Sequence, residues 1–414
     1  MAMLVNLDLH IHSRYSMAVS EEMLLPQIAV EAARKGVKVM ATGDCLHPRW
    51  LEAVKRLPEK DGLFSLGQTL FMLSVEVEDC RRAHHLIFLP DVAKAEELAA
   101  GFAPSCASLD SDGRPRLRLT GAEIADMVIE AGGIVGPAHA FTPWTGMYAI
   151  YRSLSDCYQE QSGKISFLEL GLSADTDYAD RIAELSGLTF LSNSDAHSPR
   201  SNKLAREFNR MELHDLSYRE IIMALRRQGG RRVTMNVGFY PEEGKYNRTA
   251  CTRCYEQYSA PRTAELMGCC PSCGGRIKLG VADRVRALAD HERPVHPDHR
   301  PPYLHIIPLA EIIAMAIGQK SAMTAAVQRR YRELTEARTE IDVLFEADVD
   351  DLRAEVRVKQ AISDFREGRV VVAPGGGGRY GSIQLPQVHE HLQGKMAAAG
   401  QCSANGGQRS LFDF

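Results

Sequence analysis

Over residues 1–230 the chain repeats one pattern: a short apolar run, then acidic or histidine residues, then a stretch with helical periodicity. LVNLDLHIH leads into EEMLLPQIAVEAARKG, where Ser20 is a candidate N-cap and Gly36 a candidate stop. VKVMATGD leads into the proline-led helix candidate PRWLEAVKRL, and LFMLSVEVE with AHHLIFLP predicts a strand pair. A loop rich in Ser, Asp and Gly (104–120) precedes the predicted helix GAEIADMVIEAGG and the strand IVGPAHA. ISFLELG, the helix DYADRIAELSG and LTFLSNSDAH complete the series. Six or seven such alternations predict an α/β protein, either a parallel βα-barrel or a doubly wound sheet. The barrel is favoured because nearly every predicted strand delivers an Asp, Glu or His at its C-terminal end. These are His10 and His12, Asp44, Glu76, His84 or His85, His139, Glu169, Asp195 and His197. In a βα-barrel such ends converge on one face, where the active site is built.

Near residue 240 the pattern changes. Residues 236–290 carry a cysteine quartet among basic residues, and 291–303 form a proline- and histidine-rich connector. Residues 305–368 have mostly helical periodicity, and VVVAPGGGGRYGSIQL reads as strand, glycine-rich turn and strand. Residues 386–407, rich in Gly, Ala and Gln, predict disorder. The expected division is a barrel over 1–235, a zinc-knuckle domain over 236–290, a mainly helical region over 291–385 and a disordered tail over 386–414.

With 414 residues, 45% hydrophobic and 25% charged, the composition is that of an ordinary globular chain with room for two or three domains. No apolar stretch approaches the roughly 18 residues of a membrane span. The N-terminus MAMLVNLDLHIHS lacks the basic region and apolar core of a secretory signal, so a cytoplasmic protein, nucleoid-associated if it binds DNA, is expected. Five of the ten cysteines crowd into 251–273, which suggests metal binding rather than disulfides. Net charge is only −4, so nucleic-acid binding has to be argued from distribution. Residues 197–286 hold 17 Lys+Arg against 9 Asp+Glu, which marks them as a candidate phosphate-facing surface; the alternative is a solvated basic face.

Imidazoles and carboxylates together suit Zn, Mn, Mg or Fe, and so many ligands exceed the needs of one ion. Two or three divalent ions are therefore expected. A carboxylate among imidazoles, such as Glu76, can bridge two ions that clamp the attacking and leaving oxygens of phosphoryl transfer, with activated water as nucleophile. His10-x-His12 alone is a weak signal; with Asp195-x-His197 and the ligands between, it becomes strong.

DLHIHS at 8–13, TGD at 42–44, Glu76, His84, AHA around His139 and NSDAH at 193–197 resemble the polymerase-and-histidinol-phosphatase (PHP) family. The resemblance covers residues 1 to about 235 and implies a distorted seven-stranded βα-barrel with a trinuclear site. It implies that His10, His12, Glu76 and Asp195 hold one ion and that Glu76, His84 and His139 hold a second. Asp44 and His197 would lie at a third. Asp195, His197, Glu76 and His139 are the implied catalytic residues. At the third position the sequence departs from the family pattern. Cys45 follows Asp44 where many relatives have His, with His47 two residues on, and RYSMAVS stands where a further histidine is often found. His85 remains an alternative to His84.

Cys251-x-x-Cys254 and Cys270-x-x-Cys273, separated by 15 residues, predict one structural Zn²⁺ held by four thiolates. Around them Arg248, Arg253, Arg276, Lys278 and Tyr246 offer charge and an aromatic face for DNA contact; the alternative is a zinc-stapled scaffold. The order of parts is more specific than the PHP motifs. TGDCLHPRW, FTPW at 141–144, ELGLSAD at 169–175, CPSCGGRIKLGVADRV and YLHIIPLAEIIAMAIG resemble the endonuclease Q family over about residues 1–385. That resemblance implies cleavage of damaged DNA on the 5′ side of deaminated bases or abasic sites. Phe141, Trp144 and Ser173 are the candidates for a pocket that receives the flipped nucleotide. The terminal QRSLFDF resembles a sliding-clamp-binding motif, with Gln408 for polar contacts and Leu411 and Phe412 for an apolar pocket. Two competing readings remain at this stage: a PHP phosphomonoesterase of a small metabolite, and a non-catalytic DNA-binding adaptor.

Overall fold

The computed structural model describes residues 2–386. Gln408, Leu411 and Phe412 lie outside the described residues. The chain forms two compact units. Among the described residues the first comprises 2–33, Val37–Pro241 and Leu279–Ile306; the second comprises Arg34–Gly36, Glu242–Lys278 and 307–386.

The first unit is α/β with mixed sheets. Its largest sheet is seeded by Met3–Asp8, which pairs in parallel with Val39–Ala41, itself parallel to Thr69–Met72. On the other side Met3–Asp8 pairs antiparallel with Phe208–Leu213, followed by Arg232–Gly238 and the parallel strand Tyr303–His305. A second sheet holds Ser74–Glu78, His84–Phe88 and Ile134–Pro137, antiparallel throughout. Phe167–Glu169 and Thr189–Leu191 form a parallel pair. The ladders of the described residues form mixed sheets and show no closed barrel, in place of the expected distorted seven-stranded βα-barrel. One reason is chain length. Five residues separate Glu78 from His84, enough for a hairpin and too few for the crossover that parallel strands need.

Alternation buries one face of these strands together. Leu7, Leu9, Val39, Leu86, Phe88, Phe167, Leu191 and Met211 share one core with Ile221 and Leu225 of the helix Tyr218–Leu225. The helix Gly121–Glu130 starts on a capping box between Thr120 and Glu123. The first helix runs Leu25–Lys35 and ends at Gly36, whose φ of +88° suits glycine. It starts five residues after Ser20, which is therefore not its N-cap; Pro26 sits in its first turn, where a missing N–H costs nothing.

In the second unit the short pair Ala250–Cys251 and Ile277–Lys278 frames the cysteine quartet. Helices Leu309–Ala316, Ala325–Leu334 and Val356–Arg366 follow. Val371–Ala373 and Ser382–Gln384 form the predicted glycine-linked hairpin. No helix of the described residues is long and apolar enough to cross a membrane.

Candidate metal centre

The strand ends of the first unit bring the predicted ligands together. Donor atoms of His10, His12 and Asp195 lie within 4.8 Å of one another, as do those of Glu76, His84 and His139. Glu76 stands between the two groups. Its Oε1 is 2.8 Å from His84 Nδ1, 2.7 Å from His139 Nε2 and 3.8 Å from His10 Nε2, while its Oε2 is 3.4 Å from His12 Nε2. Asp195 Oδ1 is 3.2 Å from His12 Nε2 and 3.8 Å from His10 Nε2. Glu76 thus contacts imidazoles of both groups.

Backbone strain aims the predicted ligands. Asp44, His139 and Asp195 have φ of +50°, +29° and +46°, a region non-glycine residues avoid unless the surroundings impose it. Glycines make room for these bends. A side chain at Gly43 would collide with the Ile11 carbonyl, and one at Gly171 with His139.

Carboxylates behind the imidazoles set their orientation. His10 Nδ1 lies 3.0 and 2.9 Å from the two oxygens of Glu169, which also accepts from the His139 N–H and the Asn193 side chain. His12 Nδ1 lies 3.1 Å from Asp44 Oδ1. Each ring thus donates from Nδ1 to a carboxylate and turns the lone pair of Nε2 inward, the arrangement usual behind metal-bound histidines. Burial opposes charge on Glu76 and Asp195. Even so, His84, His12 and His139 hold Glu76, and His197, His12 and His10 hold Asp195, well below the usual carboxylate range. Burial works to lower His10, but Glu169, Asp195 and Glu76 raise it to about 9.

The donor set fits divalent cations. His10 Nε2, His12 Nε2 and Asp195 Oδ1 are buried and have no hydrogen-bond partner, as is His139 Nδ1. Such orphaned atoms cost free energy unless something binds them.

His84, not His85, faces the centre. His85 points away, with Nδ1 2.8 Å from Tyr158 Oη and Nε2 3.3 Å from Asp79 Oδ2. Asp79 also accepts from Tyr151 at 2.7 Å and from the N–H groups of Arg81 and Ala83 at 2.8 Å. That cluster is satisfied internally and fixes the turn before His84. His47 is not part of either ligand group: its Nε2 donates to the Asp110 carbonyl at 3.1 Å and its ring stacks on Tyr15. His197 packs edge-on against His12, and its Nδ1 donates to the Asp195 carbonyl at 2.9 Å. Phe141 is buried, its ring stacked on Tyr148. Trp144, two residues before the helix-capping Gly146, is half exposed with φ of +97°, and Ser173 is half-buried. Sequence reasoning gave Glu169 no role and missed Arg114, whose Nη1 donates to Glu76 Oε2 at 3.2 Å.

In the second unit the four predicted thiolates converge. Cys251 and Cys273 sulfurs are 3.5 Å apart and Cys254 and Cys270 3.6 Å apart, near the edge of about 3.8 Å that four Zn–S bonds of about 2.3 Å imply. All four sulfurs lie within 4.8 Å of one another. The Arg253 N–H donates to Cys251 Sγ. Arg248, Arg253 and Arg276 are exposed around this cluster, and Tyr246 and Lys278 half-buried.

Residues 308–369 match the family model of the MJ0043 C-terminal domain. The uncharacterized protein MJ0043 of Methanocaldococcus jannaschii is 43% identical over 266 residues, 62% of this chain, which spans only 33% of that protein's length. The uncharacterized protein YqxK of Bacillus subtilis is 32% identical over 405 residues, covering 91% of this chain and 98% of its own. The lesion-specific endonuclease PfuEndoQ from Pyrococcus furiosus superposes with a TM-score of 0.88 at 43% identity, over 97% of this chain and 100% of its own. An endonuclease Q in complex with a 27-mer duplex carrying an abasic lesion at its active site gives the same score and identity, over 93% and 98%. The ligand clusters, the cysteine quartet and these full-length likenesses lead to one conclusion: the chain belongs to the endonuclease Q family.

Proposed function

We propose that this chain is a metal-dependent DNA endonuclease. It cuts the phosphodiester on the 5′ side of deaminated bases (uracil, hypoxanthine, xanthine) and of abasic sites, leaving a 3′-hydroxyl and a 5′-phosphate. The observation that carries the reading is the full-length likeness to the endonuclease Q bound to abasic duplex.

His10, His12, Asp195 and Glu76 would hold one cation, and Glu76, His84 and His139 the other. When bound, such ions lower the pKa of water and neutralise charge on the transferring phosphate. The chain's own residues do the rest. Glu169 and Asp44 fix the tautomers of His10 and His12. The Asp195 carbonyl keeps the proton of His197 on Nδ1, so Nε2 is free to accept a proton and return it to a leaving oxygen. Exposed Trp144 and half-buried Ser173 receive the displaced nucleotide. Extrusion costs least where a base is mispaired or missing, which supplies part of the selectivity. Around the cysteine quartet, Arg248, Arg253, Arg276, Lys278 and Tyr246 contact the DNA backbone.

The test is incubation of the full chain with Mn²⁺ or Mg²⁺ and a 5′-labelled duplex bearing one abasic site. The expected result is a single product ending just 5′ of the lesion and extendable by a DNA polymerase. An intact duplex, with phosphate released from small phosphomonoesters instead, would overturn the reading.

A further inference from the structure

The sequence RRQGGRR at 226–232 crowds arginines into one turn, and none of them belongs to the metal centre. Helix Tyr218–Leu225 ends in this turn, with Arg227 at φ of +54°, a conformation usually given to glycine. Its Nη1 donates to Thr189 Oγ1 at 2.6 Å and its Nη2 to the Gly187 carbonyl at 2.7 Å. Between those two residues, the Leu188 carbonyl accepts from Arg300 Nη1 at 2.8 Å and from the His299 ring. Three nitrogen-bearing side chains thus meet on the stretch 187–189. Beside them opens a cavity of about 420 Å³, whose walls include Arg227, Arg231, Arg232, Asp298, His299 and Arg300.

The charges of this cavity are unevenly matched. Arg231 is held by both oxygens of Glu220 and Arg300 by both oxygens of Asp180, while Arg232 gives only its Nε to Glu212. Arg227 has no carboxylate partner among the described residues. Its two bonds go to neutral oxygens, and burial works against its charge. A guanidinium carries five N–H donors, so others of Arg227 are left to donate. His299 Nε2 is buried without a hydrogen-bond partner. Burial and the charges of Arg227 and Arg300 hold that imidazole below its usual pKa, against the pull of the Leu188 carbonyl and Asp180. Asp298 is exposed and forms no ion pair among the described residues.

We infer that this cavity is a binding site for a phosphate group, held by Arg227, Arg232 and His299 Nε2. The arginine forks match phosphate oxygens, and the unpartnered imidazole nitrogen accepts a hydrogen bond from a phosphate hydroxyl. The group bound here is not the scissile phosphate. Strand Arg232–Gly238 starts at this turn. Beyond its other end the Phe239 N–H donates to Glu207, next to Arg206, which donates to the Ser194 carbonyl beside Asp195. An extended strand of that length sets the cavity roughly 20 Å from the metal centre. The site therefore goes beyond the endonuclease reading and does not depend on it.

The full chain, carrying isotope-labelled histidine, is titrated with inorganic phosphate at an ionic strength held constant with chloride. The His299 ring signal, assigned by its loss in His299→Gln, is followed by NMR. The expected result is a saturable shift of that signal, with affinity about tenfold weaker in Arg227→Met. Asp298→Asn should bind more tightly, a gain that a misfolded variant could not give. Phosphate seated only in the metal centre would move the His10, His12 and His139 signals and leave His299 still, which would overturn the site. An equal response to chloride alone would overturn it as well. Titration with 5′-deoxyadenylate, and with an undamaged duplex lacking terminal phosphates, identifies the source. Saturation of the His299 shift at lower phosphate concentration by the nucleotide marks a phosphomonoester site, and by the duplex a DNA-backbone site.

Discussion

Glu169 grips His10 with both oxygens and also fixes the backbone of His139. One carboxylate thus positions a predicted ligand in each half of the centre. Glu169→Gln should weaken zinc binding by about 10–100-fold, read by competition with a chelator, while the fold survives. Unchanged affinity would show that His10 orients itself. His10, His12, Glu76, His139 and Asp195 were legible in the sequence because polar residues at the ends of apolar runs have few structural reasons to be there. Glu169 was visible as such a strand-end residue, but its role depends on a partner 159 positions away. His84 and His85 could not be told apart by pattern. Neighbours on a strand point to opposite faces, and only the register, with Glu78 opposite His84 and Val77 opposite His85, settles which one faces in. Arg114 had no signal, since it lies in an irregular loop.

At the scale of elements, the alternation of apolar runs and helical stretches located the strands but not their directions. Antiparallel pairs arise where the connection is short, as between Glu78 and His84, and periodicity carries no information about that. The antiparallel strands Phe208–Leu213 and Arg232–Gly238 carry a buried acid at their end. Glu207 Oε1 accepts from the Phe239 N–H at 2.7 Å, while Oε2 is buried without a partner. Burial, opposed by that N–H and by Arg206, pushes its pKa up to about 8. The folded chain therefore holds this proton more tightly than the unfolded one, whose carboxyl titrates near 4.5. The stabilisation is complete below that value and is lost as pH rises toward 8. Glu207→Gln, which keeps a neutral group at all pH values, should raise the thermal midpoint at pH 9 and leave it nearly unchanged at pH 4. An equal shift at both pH values would contradict a buried protonated acid.

For the whole molecule, the sequence showed the order of parts: histidine-rich α/β region, cysteine quartet, helices and glycine-linked hairpin. It did not show that Leu279–Ile306 returns to the first unit, where Tyr303–His305 extends the main sheet. That return depends on long-range strand pairing. The basic stretch 197–286 is accordingly divided between the two units. The central claim is that the histidine centre performs lesion-directed phosphodiester cleavage. It is tested most directly by single-turnover cleavage of a duplex with one abasic site beside the same duplex undamaged, using the full chain and Asp195→Asn. The account predicts rapid cutting 5′ of the lesion by the wild type, little on the undamaged duplex, and none by Asp195→Asn although it still binds the DNA. Equal cutting of both duplexes, or undiminished cutting by Asp195→Asn, would contradict it.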